Sequence, residues 1–475
     1  MTNIFDVVIG IEIHLELSTK TKMFSPSLID FNAPANTCAN QIDVAYPGTL
    51  PIVNKQAVKN AVSLAKALEM EIDDVLHFDR KNYFYTDLPK GYQITQFYRP
   101  IGKNGKIEIF VNNQSKFIEI ERIHLEEDTA RQHHDADITE LDYNRAGVPL
   151  IEIVTYPVIK SADEAAAYVD AIRKTALSLG ISNAKLEQGS LRADINISLR
   201  PKGYEKFGTK VEIKNMNSLS NIKKAIEFEI KDQTKKILTN QKILQQTKRF
   251  DDSTNSNVVM RTKTGETDYK YFPEPNIPYI KLSKEFIDSV KIPELPNQRY
   301  YRYKRENIQD LYIQSLNNDL NLAKFFDSID YPDREKLSKV FFAEVVSLAN
   351  AKGLSAYELN ISADDIKRSL ELLDQEIISG KSLKKLIPLI DQSDLDVDVI
   401  VEKYNLKQIT DKNVITKMVT QIIEENEKLV SEYPQRPERV LKMILGNLMK
   451  VSGGQVSPII ADEITKDILN GKFKL

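Results

Sequence analysis

Val7-Val8-Ile9-Gly10-Ile11-Glu12-Ile13-His14-Leu15-Glu16-Leu17 is the stretch that decides the fold. Every odd position in it is apolar, whereas the even positions from residue 10 onward are small or polar. Because successive side chains of a β-strand point to opposite faces, this alternation predicts a strand over residues 6–17 with one buried face. Glu12, His14 and Glu16 then project together from the other face, with neighbours roughly 7 Å apart.

Two carboxylates and an imidazole on one face suit a divalent cation, although the solvated outer face of an antiparallel sheet has the same alternation. The polar blend recurs in two later segments that also alternate. There it comprises Arg192, Asp194, Asn196, Lys210, Glu212 and Lys214. Carboxylates hold Mg²⁺ while Arg and Lys neutralise phosphate charge, so the recurrence favours a metal-bridged nucleotide site.

Alternation of period two continues through the first 290 residues and predicts further strands. We predict them at 106–111, 116–126, 148–154, 190–200, 208–214 and 258–272, the last with a hairpin turn at 263–266. Helices are predicted at 57–70, 161–180 and 219–238. Because strands and helices mix without a regular βαβ repeat, we predict an α+β fold with a largely antiparallel sheet.

The chain changes character near residue 290, where five prolines lie between positions 273 and 296. Beyond it the apolar period is 3.6 and predicts an all-α region. Its helices are predicted at 298–315, 333–352, 362–379, 411–430, 436–451 and 458–470. We predict three domains: a catalytic domain at 1–292, a helical domain at 293–408 and a tail subdomain at 409–475.

The composition narrows the classes of function. The 475 residues carry 65 Lys and Arg against 68 Asp and Glu, a net charge of −3, which disfavours a protein that coats nucleic acid by charge alone. The single cysteine, Cys38, rules out an internal disulfide and a Cys-rich zinc site. The chain has neither the pattern of a signal peptide nor a long apolar run, so we expect a cytoplasmic protein without membrane contact.

Known nucleotide and hydrolase motifs are missing from the sequence. It contains no Walker loop, no dinucleotide-binding glycine fingerprint and no nucleophile elbow. A P-loop kinase, a Rossmann enzyme and an α/β-hydrolase are therefore poor fits. Residues 79–93, rich in Lys, Arg and Tyr, form either a binding loop or a surface loop with buried tyrosines. The residues alone therefore indicate Mg²⁺-dependent phosphoryl transfer on an antiparallel sheet, without naming the substrate.

Several longer motifs resemble the B-subunit family of the aspartyl/glutamyl-tRNA amidotransferases. The matching stretches are residues 8–14, 79–96, 122–128, 142–154, 189–200, 208–218, 249–254 and 268–275. The likeness runs from residue 4 to the C-terminus and is closest before residue 280. So many motifs in the same order make the resemblance very specific.

The resemblance implies a ligase that forms carbon–nitrogen bonds on tRNA mischarged with glutamate or aspartate. Such an enzyme phosphorylates the side-chain carboxylate with ATP and replaces the phosphate by ammonia, giving Gln-tRNA(Gln) or Asn-tRNA(Asn) for protein biosynthesis. A partner amidase, the A subunit, makes the ammonia from glutamine, and a small C subunit holds the two together. The family's catalytic domain is similar in fold to glutamine synthetase and guanido kinases.

The resemblance also implies roles for individual residues. The expected divalent-metal ligands are Glu12, His14, Glu127 and Glu212, with Asp194 and Glu126 completing the acidic shell. The expected ATP and phosphate ligands are Arg192, Asn196, Lys210 and Lys214. Lys81 and Glu127 resemble residues where ammonia emerges, and together with Glu126 they are the expected catalytic groups. Because histidine rarely binds Mg²⁺, His14 is expected to act through water or to favour Mn²⁺.

The tail subdomain resembles the part of the family that holds the tRNA elbow by shape and phosphate contacts. The expected contacts are Arg436, Arg439, Lys442 and Lys450. The family normally carries more basic residues after Lys450, which lowers the expected strength of tRNA docking. Many members bind zinc through four cysteines near the position of Cys38, and we predict no zinc here.

Two other functions stay open at this point. One is a tRNA-independent Mg-ATP ligase that acts on a small carboxylate through an acyl phosphate, although a small substrate needs no long helical arm. The other is a non-enzymatic tRNA-binding scaffold, which the carboxylate-rich faces disfavour because they repel phosphate. The sequence also leaves open whether Glu-tRNA, Asp-tRNA or both are substrates.

Overall fold

The computed structural model describes residues 4–112, 114–135, 137–214, 216–262 and 268–474. The chain divides into two compact units, residues 1–299 and residues 300–475. The first is rich in β-structure and the second is helical, which confirms the predicted α+β class.

The strands lie in the first unit. In chain order they are β1 Phe5–Glu16, β2 Glu71–Ile72, β3 Val75–Leu76, β4 Asp79–Asn82, β5 Tyr92–Thr95, β6 Gly102–Val111, β7 Gln114–Glu127, β8 Arg131–Asp135, β9 Ile138–Asp142, β10 Pro149–Thr155, β11 Leu191–Pro201, β12 Val211–Lys214, β13 Gln246–Asp251, β14 Ser256–Thr262, β15 Phe272–Pro273 and β16 Ile280–Lys281. Nine of them form the main sheet in the order β14-β13-β12-β11-β1-β10-β7-β6-β2. Within it β12 and β13 run parallel, and every other neighbouring pair is antiparallel.

The apolar face of this sheet packs against three helices. These are α1 Lys55–Ala67, α2 Ala162–Leu179 and α3 Leu219–Leu238, and a short α4, Lys284–Ser289, follows later in the unit. The odd residues of β1 join the buried side chains of all three in one core. As predicted, the Ser161 side chain caps α2 and Gly180 ends it with φ 67°. With one face packed on helices, the other face of the main sheet is left for polar side chains.

A second, three-stranded sheet has the order β15-β4-β5 and lies beside the end of β7. Gln93 and Gln96 tie it there, since the Gln93 side-chain amide donates to the Glu127 carbonyl at 2.7 Å and the Leu125 amide donates to Gln96 at 2.9 Å. This sheet carries Lys81.

The second unit is helical. Its helices, counting α5 at the boundary, are α5 Pro296–Arg305, α6 Asp310–Asn318, α7 Leu320–Ser328, α8 Arg334–Val340, α9 Ser347–Lys352, α10 Ala363–Asp374, α11 Gly380–Asp391, α12 Val397–Lys403, α13 Lys412–Glu425, α14 Glu427–Val430, α15 Pro437–Val451 and α16 Pro458–Phe473, with a π-helical segment Phe341–Val346 joining α8 to α9 and a 3₁₀ turn at Ala356–Glu358. They enclose two hydrophobic clusters, one drawn from residues 303–406 and one from residues 415–469. Within the described ranges, no helix has both the length and the apolar character needed to cross a lipid bilayer.

Several predicted elements differ from the structure. The predicted helix 298–315 is two helices, α5 and α6, because Asn307 has φ 57° between them. The predicted helix 362–379 ends at Asp374, before Glu376 with φ 55°. The helices α4, α7, α11 and α12 and the strands β2, β3, β4, β5, β8, β9, β13 and β16 were not predicted, and β4 and the start of β5 fall in the segment 79–93 that was predicted as a loop. The strand predicted at 208–214 begins at Val211. The strand predicted at 258–272 is replaced by β14 and the two-residue β15, and its hairpin turn at 263–266 lies outside the described residues.

A buried charge network fastens α3 to β13 and β14. The Lys248 ammonium donates to Glu229 at 2.9 Å and to Asp232 at 3.1 Å, and the Lys248 side chain is 4% exposed. Gln233 and Asn257 donate to the same Glu229 carboxylate at 3.0 and 3.1 Å. Since β13 pairs with β12, this network supports the sheet edge next to β12.

Removing the carboxylate at the centre of this network should loosen that edge. We expect Glu229→Ala to lower the local stability of β13 and β14 by about 3 kcal/mol, because it takes the main partner from a buried lysine. Hydrogen exchange of the backbone amides of β13 and β14 measures the change. Glu335→Ala, which breaks the exposed pair of Glu335 with Lys339, is the control and should have a far smaller effect at its own helix; equal effects would contradict the expectation.

Candidate active site

The polar face of β1 meets polar side chains from both neighbouring strands. His14 pairs in register with Glu152 of β10 and with Arg192 of β11. Glu12 pairs with Asp194 of β11. Residues directly opposite in an antiparallel pair share a face, so the register gathers these groups in the middle of the sheet.

His14, Glu126 and Glu152 form a compact cluster. The His14 Nε2 atom lies 3.4 Å from a carboxylate oxygen of Glu126 and 3.4 Å from one of Glu152. One donor atom from each residue lies within 4.8 Å of the other two, a spacing that could hold a metal ion. Glu126 is 2% exposed and Glu152 9%, whereas His14 is 23% exposed. The cluster is thus buried on the carboxylate side and open on the imidazole side.

The electrostatics of the cluster depend on mutual pairing. Burial opposes a charged imidazole, but the hydrogen bond and charge of Glu152, with the charge of Glu126, raise the pKa of His14 to about 9. Burial would likewise raise the pKa of Glu152, but His124 and His14 hold it well below its usual range. The cationic groups next to Glu152 therefore favour the charged form of this buried carboxylate.

His124 lies on the other side of these carboxylates. Its Nε2 atom is 3.3 Å from Glu152 and 3.7 Å from Glu126, and its side chain is 8% exposed. Burial lowers and the two carboxylates raise the pKa of His124, to about 9. His124 therefore helps to orient both carboxylates.

A second acidic group lies on the same polar face around Lys214. The Lys214 ammonium is 2.8 Å from Asp194 and 3.4 Å from Glu212, and Thr247 donates to Glu212 at 2.8 Å. Glu12 accepts a hydrogen bond of 3.0 Å from the Asn196 amide. Burial, and then the charges of Glu152 and Asp194, raise the pKa of Glu12, so Glu12 lies between the two acidic groups.

An open pocket of about 260 Å³ adjoins this second group. Asn196 and Lys210, both predicted phosphate ligands, line it together with Glu12 and Phe207. The Phe207 ring is 56% exposed and lies 5.5 Å from the Arg200 guanidinium. An aromatic ring, a lysine and an amide in one pocket suit a nucleotide.

Lys81 approaches the cluster from the small sheet. Its ammonium lies 5.0 Å from the centre of the Tyr269 ring. Burial disfavours the charge, but Glu126 and Glu152 raise the pKa of Lys81. The structure thus brings Lys81 close to the charges of the His14 cluster, although β4 lies in a separate sheet.

Glu127 lies apart from the metal-binding group predicted for it, whereas Arg192, predicted as a phosphate ligand, is paired with a carboxylate. Strand alternation turns Glu127 away from the face of Glu126, and its carboxylate pairs with Lys90 and accepts from the Ile94 amide at 3.0 Å. The structure therefore does not bring Glu127 together with His14. Arg192 binds the Asp128 carboxylate at 2.7 Å. Burial, and then the charge of Asp128, raise the pKa of the neighbouring Glu16 to about 7.

The predicted tRNA contacts lie in the second unit. Arg439, Lys442 and Lys450 are exposed on α15, and Arg436 is exposed at its start. Spacings of three and eight residues place Arg439, Lys442 and Lys450 on one side of the helix. Arg439 forms an exposed ion pair of 3.2 Å with Glu432.

Comparison with known proteins agrees with this geometry. Residues 7–288 match the family described as the GatB/GatE catalytic domain, and residues 324–469 match the family described as the GatB domain. The B subunit of the aspartyl/glutamyl-tRNA(Asn/Gln) amidotransferase of Mycoplasmopsis agalactiae is 67% identical over 472 residues, which cover 99% of this chain and 100% of that protein. The proteins of the same name in Mycoplasmopsis synoviae and Mycoplasmopsis pulmonis are 60% and 56% identical, again over 99% of this chain and over 99% and 100% of their own lengths.

The chain belongs to the B-subunit family of the aspartyl/glutamyl-tRNA amidotransferases. This confirms the resemblance found in the sequence motifs. It also makes the chain one component of an amidotransferase that is built from several subunits.

Two residues of the site were missed in the sequence, namely Glu152 of the cluster and His124 beside it. Glu152 lies in β10, whose seven residues are all buried, so the strand reads as a central apolar one. The available signal was a lone carboxylate inside such an apolar run. Burying an unpaired charge costs much free energy, so such a carboxylate indicates partners nearby. His124 carried a similar signal, since it alternates with Ile123 and Leu125 in β7.

Loss of one ligand should abolish metal binding at the cluster. We expect Glu152→Gln to weaken Mn²⁺ binding by ~100-fold or more, because even outer-shell changes cost 10–100-fold. Electron paramagnetic resonance of free Mn²⁺ measures this, and circular dichroism checks the fold. Glu121→Gln on β7, which breaks the pair with Arg122, is the control and should bind Mn²⁺ as the parent does; equal binding by both variants would place the metal elsewhere.

Proposed function

We propose that this protein is the ATP-dependent subunit of a tRNA amidotransferase. It phosphorylates the side-chain carboxylate of Glu-tRNA(Gln), Asp-tRNA(Asn) or both, and then amidates it with ammonia from a glutaminase partner. The enzyme is thereby a ligase of protein biosynthesis with glutamine as amido donor. The observation that carries the proposal is the cluster of His14, Glu126 and Glu152 beside Lys81, in a chain of this family.

A divalent cation fits the His14 cluster by its donor set. Two carboxylates and one imidazole within 4.8 Å suit Mg²⁺ or Mn²⁺, and this set replaces the predicted one that included Glu127. When bound, the cation would supply charge neutralisation for the transferring phosphoryl group. Asp194 and Glu212 form the second acidic group, and Glu12, between the two groups, lines the nucleotide pocket. We keep the absence of zinc as a prediction.

The chain's own cations would act on the phosphates. ATP would bind in the pocket of Phe207 and Lys210, with its phosphates directed towards Lys214 and Asn196. A substrate carboxylate oxygen attacks the γ-phosphorus, a new O–P bond forms, and ADP leaves. Arg192 is held by Asp128 and would attract the negative charge of the acyl phosphate.

Ammonia would reach the acyl phosphate past Lys90, Glu127 and Lys81. A cavity of about 10 Å³ beside Lys90 and Glu127 has the size of one small molecule. Glu127 is the carboxylate that would take a proton from ammonium, leaving a neutral nucleophile. Ammonia then attacks the acyl carbon, the C–O bond to phosphate breaks, and the surplus proton leaves with the phosphate.

The remaining parts of the chain would serve tRNA and the partner proteins. The tail, residues 409–475, would contact the tRNA elbow with Arg436, Arg439, Lys442 and Lys450. We retain the three-domain division with boundaries at 292 and 408, since the second unit holds two hydrophobic clusters. The partners, in the cytoplasm, would be the amidase A subunit, which is the glutaminase, and the small C subunit.

A tRNA-independent ligase is the alternative function. The same phosphoryl-transfer site would serve it, whereas the exposed basic side of α15 would have no ligand. ATP turnover that needs mischarged tRNA separates the two functions, and it also excludes a scaffold without enzymatic activity.

The central test uses the enzyme assembled with both partner proteins. We expect Glu126→Gln to abolish ADP formation and amidation of mischarged tRNA, because it removes one of three ligand groups, while the glutaminase activity of the partner persists. Thin-layer chromatography of the amino acid released from the tRNA measures amidation. Glu121→Gln should retain both activities, and undiminished amidation by Glu126→Gln would contradict the proposed site.

The tail proposal predicts a change in tRNA affinity without a change in chemistry. The triple variant Arg439→Ala, Lys442→Ala and Lys450→Ala should raise the KM for charged tRNA and lower the salt slope of binding by up to about 3, one for each phosphate contact. The control carries Lys412→Ala, Lys417→Ala and Lys466→Ala, which removes the same charge from α13 and α16. If both triples behave alike, the effect is one of net charge and the proposed contact side is wrong.

A further inference from the structure

An aromatic cluster borders the active site on the side of the small sheet. Phe97 and Tyr271 stack at 4.0 Å between ring centres with planes 9° apart, and Tyr269 meets Tyr271 edge-on at 6.1 Å. We call these three rings the aromatic platform. Phe97 is 53% exposed, so a large apolar ring faces solvent at the edge of a catalytic cluster.

Backbone hydrogen bonds hold the aromatic platform rigidly. The buried carboxylate of Asp79 accepts from the amides of Phe97 and Tyr98 at 2.7 and 2.9 Å. The Tyr98 hydroxyl donates to the Tyr271 carbonyl at 3.1 Å, and the Asn82 amide donates to the Tyr269 carbonyl at 3.0 Å. A fixed exposed ring loses little freedom when a ligand stacks on it.

The aromatic platform lies next to the reacting groups. The Lys81 ammonium faces the Tyr269 ring at 5.0 Å. The hydrogen bonds of Gln93 to the Glu127 carbonyl and of the Leu125 amide to Gln96 hold the small sheet against β7 on both sides of Glu126. A ligand stacked here would therefore be adjacent to a substrate carboxylate bound at the cluster.

The proposed substrate carries a base close to its reacting carboxylate. Five covalent bonds join the side-chain carboxyl carbon of a glutamyl group to the ester oxygen on the last ribose of the tRNA, a reach of about 7 Å. The last bases of a tRNA are unpaired, and proteins bind unpaired bases mainly by stacking them on aromatic rings. The exposed Lys270, between the two tyrosines in sequence, adds a cation for the backbone.

We propose that the aromatic platform stacks the unpaired 3′-terminal bases of the charged tRNA, with Phe97 as the outer ring that meets the base. This inference rests on the proposed function, because it assigns a contact to the tRNA of that reaction. Phe97 is a positioning residue, since it holds the end of the tRNA rather than the reacting atoms. A protein partner on the same rings is the competing occupant, and the test separates the two.

The probe is tRNA with 2-aminopurine in place of its 3′-terminal adenine, whose fluorescence falls on stacking. With the assembled enzyme we expect strong quenching for the parent and for Phe97→Tyr, which keeps the ring. Phe97→Leu should lose most of the quenching and raise the KM for charged tRNA about tenfold. Phe117→Leu is the control, because Phe117 is 51% exposed on the same unit but far along β7 from Glu127.

Two results would overturn the inference. Undiminished quenching with Phe97→Leu would show that no base stacks there, and failure of Phe97→Leu alone to assemble with the partner proteins would show a protein interface. Failure of the proposed function is visible separately, because the parent enzyme would then not amidate mischarged tRNA in the presence of ATP. If the parent enzyme amidates and Phe97→Leu has the same KM for charged tRNA, this inference is wrong while the proposed function stands.

Discussion

The contact of the His14 imidazole with two buried carboxylates is the constraint on which the catalytic unit depends. Glu126, Glu152 and His14 come from β7, β10 and β1, which are neighbours in the main sheet. A slip of one residue in either pairing would turn a carboxylate into the apolar core, so the register is strictly specified. His14 and His124 supply positive charge where two carboxylates would otherwise repel each other. The pairing of the strands thus brings these groups together, and in the proposed function a bound divalent cation would replace the positive charge that the imidazoles supply.

The same principle separates the acids of the catalytic unit into groups. Each carboxylate group has a cation from a different element: His14 on β1, Lys214 on β12 and Lys90 before β5. Each cation weakens the electrostatic effect of its own carboxylate group on the other groups. The groups could therefore serve separate steps of the proposed reaction. The group of Lys214 lies beside the proposed nucleotide pocket, whereas the pair of Lys90 and Glu127 lies beside the small cavity. In the proposed reaction, this arrangement would separate the side of ATP from the side of ammonia around one substrate carboxylate.

How much of the fold and of the site could be predicted depends on whether each feature leaves a local pattern in the sequence. The alternation of β1 is local and complete, so the strand and the common face of Glu12 and His14 were predictable. Glu152 was missed because β10 is buried on both sides and shows no alternation. Glu127 was grouped with His14 because the motif does not reveal that it follows Glu126 onto the opposite face. In the second unit, the breaks at Asn307 and Glu376 depend on single left-handed residues, which periodicity does not register.

In the proposed function, the small sheet would link the entry of ammonia to the binding of the tRNA end. Gln93 and Ile94 of β5 hold Glu127, while Lys81 of the adjacent β4 faces the His14 cluster. Asp79 of the same β4 fixes the backbone of Phe97, and Gln96 bonds both His77 and Leu125. A shift of β4 would therefore move Lys81 and the aromatic platform together. Because Asp79 and Lys81 lie on the same strand, a tRNA end bound on the platform would also bear on the position of Lys81. The nucleophile's route would then be completed when the charged tRNA is in place, which favours amidation over the loss of ammonia to solvent.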